Sequence, residues 1–108
     1  EMSEQFWQDN AYSENEPDRV ILCVDFKAVQ NQNVIWHKTY KMDAWGDTQG
    51  TAMARLVSHP VYLAVTAITD NEMDTGISAA VSKPNLVDKW LKYINNLAQE
   101  FDIIDHLI

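Results

Sequence analysis

Several residue types that carry chemistry are scarce in this sequence, which has one cysteine, three glycines and eight basic residues. The single cysteine, Cys23, cannot form a disulfide within the chain, which favours a reducing compartment, the cytoplasm. Three glycines are too few for a phosphate-binding loop, and we predict no cofactor. The sequence has no apolar run of about 18 residues and no basic segment ahead of an apolar core, so it predicts neither a membrane span nor a signal peptide.

Basic residues are missing altogether from the first 18 residues. That segment has six acids and no Lys or Arg, a net charge of −6, whereas residues 19–108 have ten acids and eight bases, a net charge of −2. The contrast predicts two parts: an acidic N-terminal segment, residues 1–18, and a single α+β domain, residues 19–108. Because a protein that binds nucleic acid directly normally presents a basic stripe, the charge distribution argues against that function.

A β-hairpin is predicted at the start of the domain. Apolar and polar side chains alternate over residues 19–29, and a second β-rich run covers residues 34–42,. A three-residue loop, residues 30–32, with one residue in the left-handed conformation, sets Phe26 opposite Trp36 and matches the apolar faces of the two strands.

The remainder of the chain predicts two helices and two strands. Residues 47–58 have a helical apolar face that ends at His59-Pro60, since the residue before proline disfavours the helical conformation. Residues 61–69 and 76–82 predict strands. From Pro84 onwards apolar residues recur at steps of three and four, which predicts a helix of about 22 residues. The fold class is therefore α+β, (α)ββαββα in order, with a four-stranded antiparallel sheet and a long C-terminal helix packed on one face.

No motif for catalysis stands out. The predicted register places Asp25 opposite His37 on the sheet face away from the helices, with Cys23 one step diagonally away. A thiol, an imidazole and a carboxylate are the groups of a nucleophilic site, but a flat sheet face supplies neither a pocket nor an oxyanion site. An ordinary cross-strand Asp–His pair is the favoured interpretation. His59 and His106 lie far from His37 in the sequence, so no spacing predicts a metal site.

Aromatic side chains in acidic or loop segments predict a protein-binding surface. Phe6 and Trp7 fall in a short predicted helix, residues 3–12, and either engage a basic partner together with the neighbouring acids or dock on the body. Trp45 precedes the first helix of the body, and tryptophans often carry interface energy. The outer sheet face is also partly apolar, which requires a cover from the N-terminal segment or from a second chain. The predicted partner-binding residues are Phe6, Trp7, Glu14, Glu16, Asp18 and Trp45.

Together these observations predict a non-enzymatic protein-binding domain. It is a small acidic inhibitor, immunity-type or accessory protein that engages a basic protein partner, such as one that handles nucleic acid. Neither a membrane nor nucleic acid itself is a predicted partner. Two alternatives stay open: a homodimeric structural or regulatory subunit, and a small enzyme that uses Cys23, Asp25 and His37.

Overall fold

The structure, a computed structural model, describes all 108 residues and contains three helices and three strands. The three strands form one antiparallel sheet in the order β1-β2-β3, so β2 is the central strand. The α+β class is as predicted, but the four-stranded sheet and the order of the elements are wrong. In chain order the elements are α1 (Met2–Asp9), β1 (Arg19–Gln30), β2 (Asn33–Trp45), α2 (Ala52–Thr69), α3 (Pro84–Leu97) and β3 (Glu100–Asp105).

The hairpin formed by β1 and β2 turns on two residues, Asn31 and Gln32. Both have positive φ, 48° and 65°. A two-residue turn with positive φ at both positions matches the right-handed twist of the strands that it joins. The register shifts between Ala28 and Val29, where β2 has one residue more than β1. This is the geometry of a β-bulge.

The register of this hairpin differs from the predicted one by two residues. Phe26 lies opposite Lys38, whereas the prediction paired it with Trp36. Side chains on a strand alternate between the two faces, so a slip of two residues leaves the side chains of residues 19–28 and 36–42 on their predicted faces. Between the register shift and the turn the slip is one residue, as in the pair of Val29 with Val34, so the predicted faces are correct only for the longer part of the hairpin.

The second helix, α2, replaces the predicted third strand. The Thr51 hydroxyl caps its N-terminus by accepting a hydrogen bond from a backbone N–H of the first turn at 3.1 Å,. The helix runs through Pro60, where the sequence predicts its end, and takes in all of residues 61–69. A proline inside a helix costs about 3 kcal/mol, and the burial of Leu63 and Ala67 in the helical form works against that cost. In this run both the odd-numbered and the even-numbered positions are apolar, and such a pattern alone does not distinguish a strand from a helix.

The C-terminal helix is shorter than predicted. α3 ends at Leu97, and residues 100–105 form β3, which pairs with β2 from Asp43 to Lys38. The apolar residues of this segment fit a helical spacing and also an alternating one, and the backbone hydrogen bonds to β2 decide between them. The predicted strand at residues 76–82 has no regular structure. Loss of that strand and of the one within α2, with the gain of β3, leaves three strands in place of four.

The buried core of this fold is small. Six of the 108 residues are buried: Met42, Ala44, Ala52, Leu63, Ala67 and Leu86. The two that belong to the sheet lie near the C-terminal end of β2. Near the hairpin turn, by contrast, Phe26 and Trp36 remain 49% and 38% exposed. The apolar face of the sheet is therefore covered only in part.

Replacing Leu86 with alanine tests this core. Leu86 is 2% exposed and is the largest fully buried side chain, so Leu86→Ala lowers the free energy of unfolding by about 2–5 kcal/mol. Ile77→Ala is the control, because Ile77 is fully exposed and we expect its free energy of unfolding to stay within about 0.5 kcal/mol of the wild type. Urea denaturation measures both variants, and equal effects would contradict the assigned core.

Candidate functional site

An open apolar groove of about 590 Å³ lies between the sheet and the helices α2 and α3. Twelve of its thirteen lining residues are hydrophobic, and the remaining one is Lys41. Alternate residues of β1 and β2 form the sheet side, because every second side chain of a strand points to the same face. At the hairpin end, the Phe26 ring centroid lies 6.2 Å from that of Trp36 and 5.9 Å from that of Tyr40. This groove has the character of a site for apolar side chains.

The chain exposes much more surface than a compact chain of its mass. Its accessible surface is 8702 Å². A folded monomer of 12.4 kDa exposes about 6100 Å², so the excess is about 2600 Å². The radius of gyration is 18.0 Å, whereas a compact domain of this length has about 13 Å. Residues 1–17, all of them exposed, contribute part of the excess, and the apolar surfaces of the body add to it.

The outer side of α2 is an apolar stripe, which we call the α2 stripe. Its five members lie at successive steps of four, four, four and three residues, so they share one side of the helix. Each of them is more than half exposed. No helix of the structure is long and apolar enough to cross a lipid bilayer. The members of the stripe are Met53, Val57, Val61, Val65 and Ile68.

The N-terminal helix α1 stands apart from the body. Every hydrogen bond made by residues 1–16 joins two residues of that same segment. Phe6 and Trp7 are 65% and 73% exposed. These aromatic side chains are therefore not docked on the body, and four of the six predicted partner-binding residues lie in this separate segment.

The other two predicted partner-binding residues, Asp18 and Trp45, meet at the corner where β1 begins and β2 ends. Gly46 N donates a hydrogen bond to the Asp18 carbonyl oxygen at 2.8 Å. The Asp18 carboxylate accepts hydrogen bonds from two backbone N–H groups in the first turn of α2, at 2.7 and 2.9 Å. The Arg19 guanidinium lies 4.7 Å from the centre of the Trp45 ring,. Asp18 therefore ties α2 to the start of the sheet.

A polar cluster lies on the opposite face of the sheet from the groove and consists of Asp25, His37, Thr39 and His106. Asp25 Oδ1 is 3.0 Å from His37 Nε2 and accepts a hydrogen bond from Thr39 Oγ1 at 2.5 Å. Thr39 Oγ1 is also 2.7 Å from His106 Nε2. The two imidazole rings stack with their centroids 4.1 Å apart. Three adjacent strands thus bring two imidazoles and a carboxylate together.

Hydrogen bonds keep the carboxylate of this cluster ionised. The hydrogen bond from Thr39 and, to a smaller extent, that with His37 hold the pKa of Asp25 below the ordinary aspartate value, against the opposing effect of desolvation,. Asp25 is therefore an anion at neutral pH. The Asp25 side chain is 52% exposed and that of His37 19%, so the cluster is open to solvent from one side.

Sequence reasoning found half of this cluster. The predicted contact between Asp25 and His37 is present, although Asp25 lies directly opposite Thr39 in the register. His106 was missed because the helical spacing of its neighbours concealed the strand that carries it to the sheet. Cys23 is exposed and pairs across the hairpin with Lys41, outside the cluster.

No protein-family model matches this chain, and no curated protein or solved structure is significantly similar to it. Its function therefore has to be inferred from its own surfaces and side chains. The apolar groove with the α2 stripe, the acidic N-terminal segment and the polar cluster are the three features that bear on it.

The carboxylate of Asp18 that caps α2 is expected to make the protein less stable as the pH falls into the acid range. The backbone N–H groups of α2 that bind it, that of Met53 foremost, hold the pKa of Asp18 below 3.8, the value of a free aspartate. A group whose pKa is lowered by folding stabilises the fold above its unfolded pKa, and this contribution is lost as the pH falls through the folded pKa. We therefore expect wild type to melt at a higher temperature than Asp18→Asn at neutral pH, with a difference that shrinks below a pH of about 4.

Glu14→Gln is the matched control, since no hydrogen bond is made to the Glu14 carboxylate and the variant removes the same charge. Thermal unfolding of the three proteins by circular dichroism, over a pH range of about 2 to 7, gives the comparison. A difference between wild type and Asp18→Asn that does not change with pH would contradict the role of this carboxylate.

Proposed function

We propose that this chain is a non-enzymatic protein-binding domain that works as a homodimer, in which a second copy covers the α2 stripe. The observation that carries the proposal is the composition of α2. This 18-residue helix has one charged side chain, Arg55, and it is apolar both towards Leu63 and Ala67 and towards solvent. A helix that is apolar on both sides belongs inside a protein or an assembly, not at its surface.

The exposed area has the size that a stable dimer requires. Obligate homodimers bury about 2000–5000 Å² in total, or about 1000–2500 Å² from each subunit. The excess surface of this chain is about 2600 Å², including that of the N-terminal segment. An interface with a second copy is therefore of the same order as the surface that the chain leaves uncovered.

A second copy fits the α2 stripe because the stripe is self-complementary. In a two-fold symmetric interface the same patch meets itself. With two α2 helices antiparallel about an axis near Val61, Met53 of one copy faces Ile68 of the other and Val57 faces Val65. The stripe has no charge, and residues 19–108 have a net charge of only −2, so two bodies meet without strong repulsion.

A charge placed in the α2 stripe tests the dimer. Wild type is expected to have a mass by light scattering of twice the 12.4 kDa of the chain. Val61→Glu brings two carboxylates together at the axis and leaves them without partners, so we expect the dimer dissociation constant to rise at least about 100-fold, equivalent to about 3 kcal/mol.

Asn95→Glu is the control for this variant, because it adds the same charge at an exposed position of α3. The two variants are compared by light scattering over a range of concentrations, with circular dichroism to show that the helices and sheet are retained. A wild-type chain that stays monomeric at every concentration would contradict the proposal. So would a dimer that Val61→Glu leaves intact.

A second candidate function rests on the N-terminal segment. An isolated helix of eight residues is marginal in water, and α1 exposes Phe6 and Trp7 amid a net charge of −6. Docking on a basic surface would bury the rings and use the charges, and charge complementarity would speed the encounter. We propose that this acidic segment is the part of the dimer that engages a basic protein partner.

Charge reversal in the linker tests this second function. Glu14→Lys with Glu16→Lys is the chosen variant, and Asp18 is left unchanged because its carboxylate caps α2. With a lysine-rich peptide as the probe, we expect the double variant to bind at least about tenfold more weakly at low salt and to depend less on salt. Fluorescence anisotropy of a labelled peptide measures both quantities.

The control for this experiment reverses two acids of the body, Asp70→Lys with Asp88→Lys, which gives the same change in net charge. If the two double variants weaken peptide binding equally, the attraction is a property of total charge. The N-terminal segment would then have no specific part in binding.

A further inference from the structure

We infer that Asp25, His37 and His106 form a binding site for a divalent transition-metal cation such as Zn²⁺. One ligand atom from each of the three residues, two imidazole nitrogens and a carboxylate oxygen, lies within 4.8 Å of the other two. The site is independent of the proposed dimer and of the acidic segment, because it lies on the opposite sheet face from the groove and rests on different residues.

The fold holds the three ligands from three adjacent strands. Asp25 belongs to β1 and His37 to β2, and His106 directly follows β3. The backbone N–H of His106 donates to the carbonyl oxygen of His37 at 3.0 Å. This bond fixes the position of His106 beside the sheet, although its sequence distance from the other two ligands is large.

Both imidazoles have their Nε2 atom inside the polar cluster. His37 Nε2 lies 3.0 and 3.2 Å from the two oxygens of Asp25. His106 Nε2 is 2.7 Å from Thr39 Oγ1, which in turn donates to Asp25 Oδ1. The two rings stack with their planes inclined by 25°. One ring nitrogen of each histidine and one carboxylate oxygen therefore lie in one small volume.

The spacing of these atoms suits a small cation. Zinc binds nitrogen and oxygen ligands at about 2.0–2.1 Å, so the ligands of a tetrahedral site lie about 3.3 Å from one another. The His37–Asp25 separation of 3.0 Å is already of this size. The widest separation, no more than 4.8 Å, closes by about 1.5 Å at most to reach the tetrahedral spacing. Rotation of the His106 side chain, which lies beyond the end of β3, supplies this movement.

The donor set indicates the class of metal. Two imidazoles with one carboxylate match the ligands of zinc and of neighbouring first-row cations, whereas Ca²⁺ and Mg²⁺ prefer oxygen ligands alone. Thr39 Oγ1 lies between Asp25 and His106 and donates a hydrogen bond to Asp25 Oδ1, and hydrogen bonds of this kind orient metal ligands. Three protein ligands leave one position of a tetrahedral site for water or for a ligand from outside.

A bound cation would hold the edge strand β3 more firmly against the rest of the sheet. β3 has six residues and pairs with β2 alone. A metal joined to His106 links this edge strand to β1 and β2 by bonds stronger than the present hydrogen bonds. Binding to the folded state alone raises the melting temperature by mass action.

Zinc titration of the whole chain tests the site. After treatment with a chelator, the protein is titrated with Zn²⁺ by isothermal calorimetry, and we expect one zinc per chain and a melting temperature that rises with zinc. His106→Ala and Asp25→Ala are each expected to weaken zinc binding at least tenfold, since each removes one of three ligands. His59→Ala is the matched control: it removes the histidine that lies near Tyr93, outside the cluster.

A measurement on the wild type keeps the test valid if a variant does not fold. In a proton–carbon NMR spectrum, Zn²⁺ is expected to shift the ring resonances of His37 and His106 and to leave those of His59 unchanged. The site is refuted if wild type binds no zinc at micromolar concentration. It is also refuted if His106→Ala binds zinc as tightly as wild type, or if the resonances of His59 shift with those of the other two.

Discussion

The backbone N–H and C=O groups along both edges of the central strand β2 need hydrogen-bond partners, and this requirement determines how the rest of the chain is arranged. β1 satisfies one edge along nearly its whole length, from Arg19 to Gln30. The second edge would present a row of unpaired N–H and C=O groups, and β3 covers part of it, from Lys38 to Asp43,. The end of α3 at Leu97, the direction of the C-terminal residues and the position of His106 all follow from that pairing.

The same pairing explains why the chain has so much apolar surface. A C-terminal helix of the predicted length would have laid a longer apolar side on the sheet. With residues 100–105 in the sheet instead, only α2 and the shorter α3 face the groove, and Phe26, Trp36 and Tyr40 line an open part of it. The strand that completes the sheet therefore reduces the cover on its apolar face. The proposed second copy would add cover on the outer side of α2, which is apolar on both sides.

The two faces of the sheet separate two kinds of chemistry. The face towards the helices is apolar and carries the groove, which suits protein association. The other face carries the ion pair of Arg19 with Asp43 and the cluster around Asp25, where hydrogen bonds lower the pKa of the aspartates. The proposed dimer uses the outer side of α2, and the proposed cation site lies on the second face. The two proposals therefore rest on different residues.

The sequence by itself determined the features that depend on short-range pattern. Alternation placed Val24 and Phe26 on one face of the hairpin and Asp25 on the other, and a register error of two residues did not change that result, because side-chain direction has a period of two. The concentration of acids in residues 1–18 and the start of a helix at Pro84 are likewise local properties,.

Only the tertiary structure decided whether residues 61–69 and 100–105 are helix or strand. Both segments have apolar residues at spacings that suit either form, and the choice depends on which partner supplies hydrogen bonds and cover. In residues 61–69, Leu63 and Ala67 are buried as part of the small core; for residues 100–105 the partner is the free edge of β2. The cluster of Asp25, His37 and His106 was hidden for the same reason, because no local pattern records a contact that a distant strand creates.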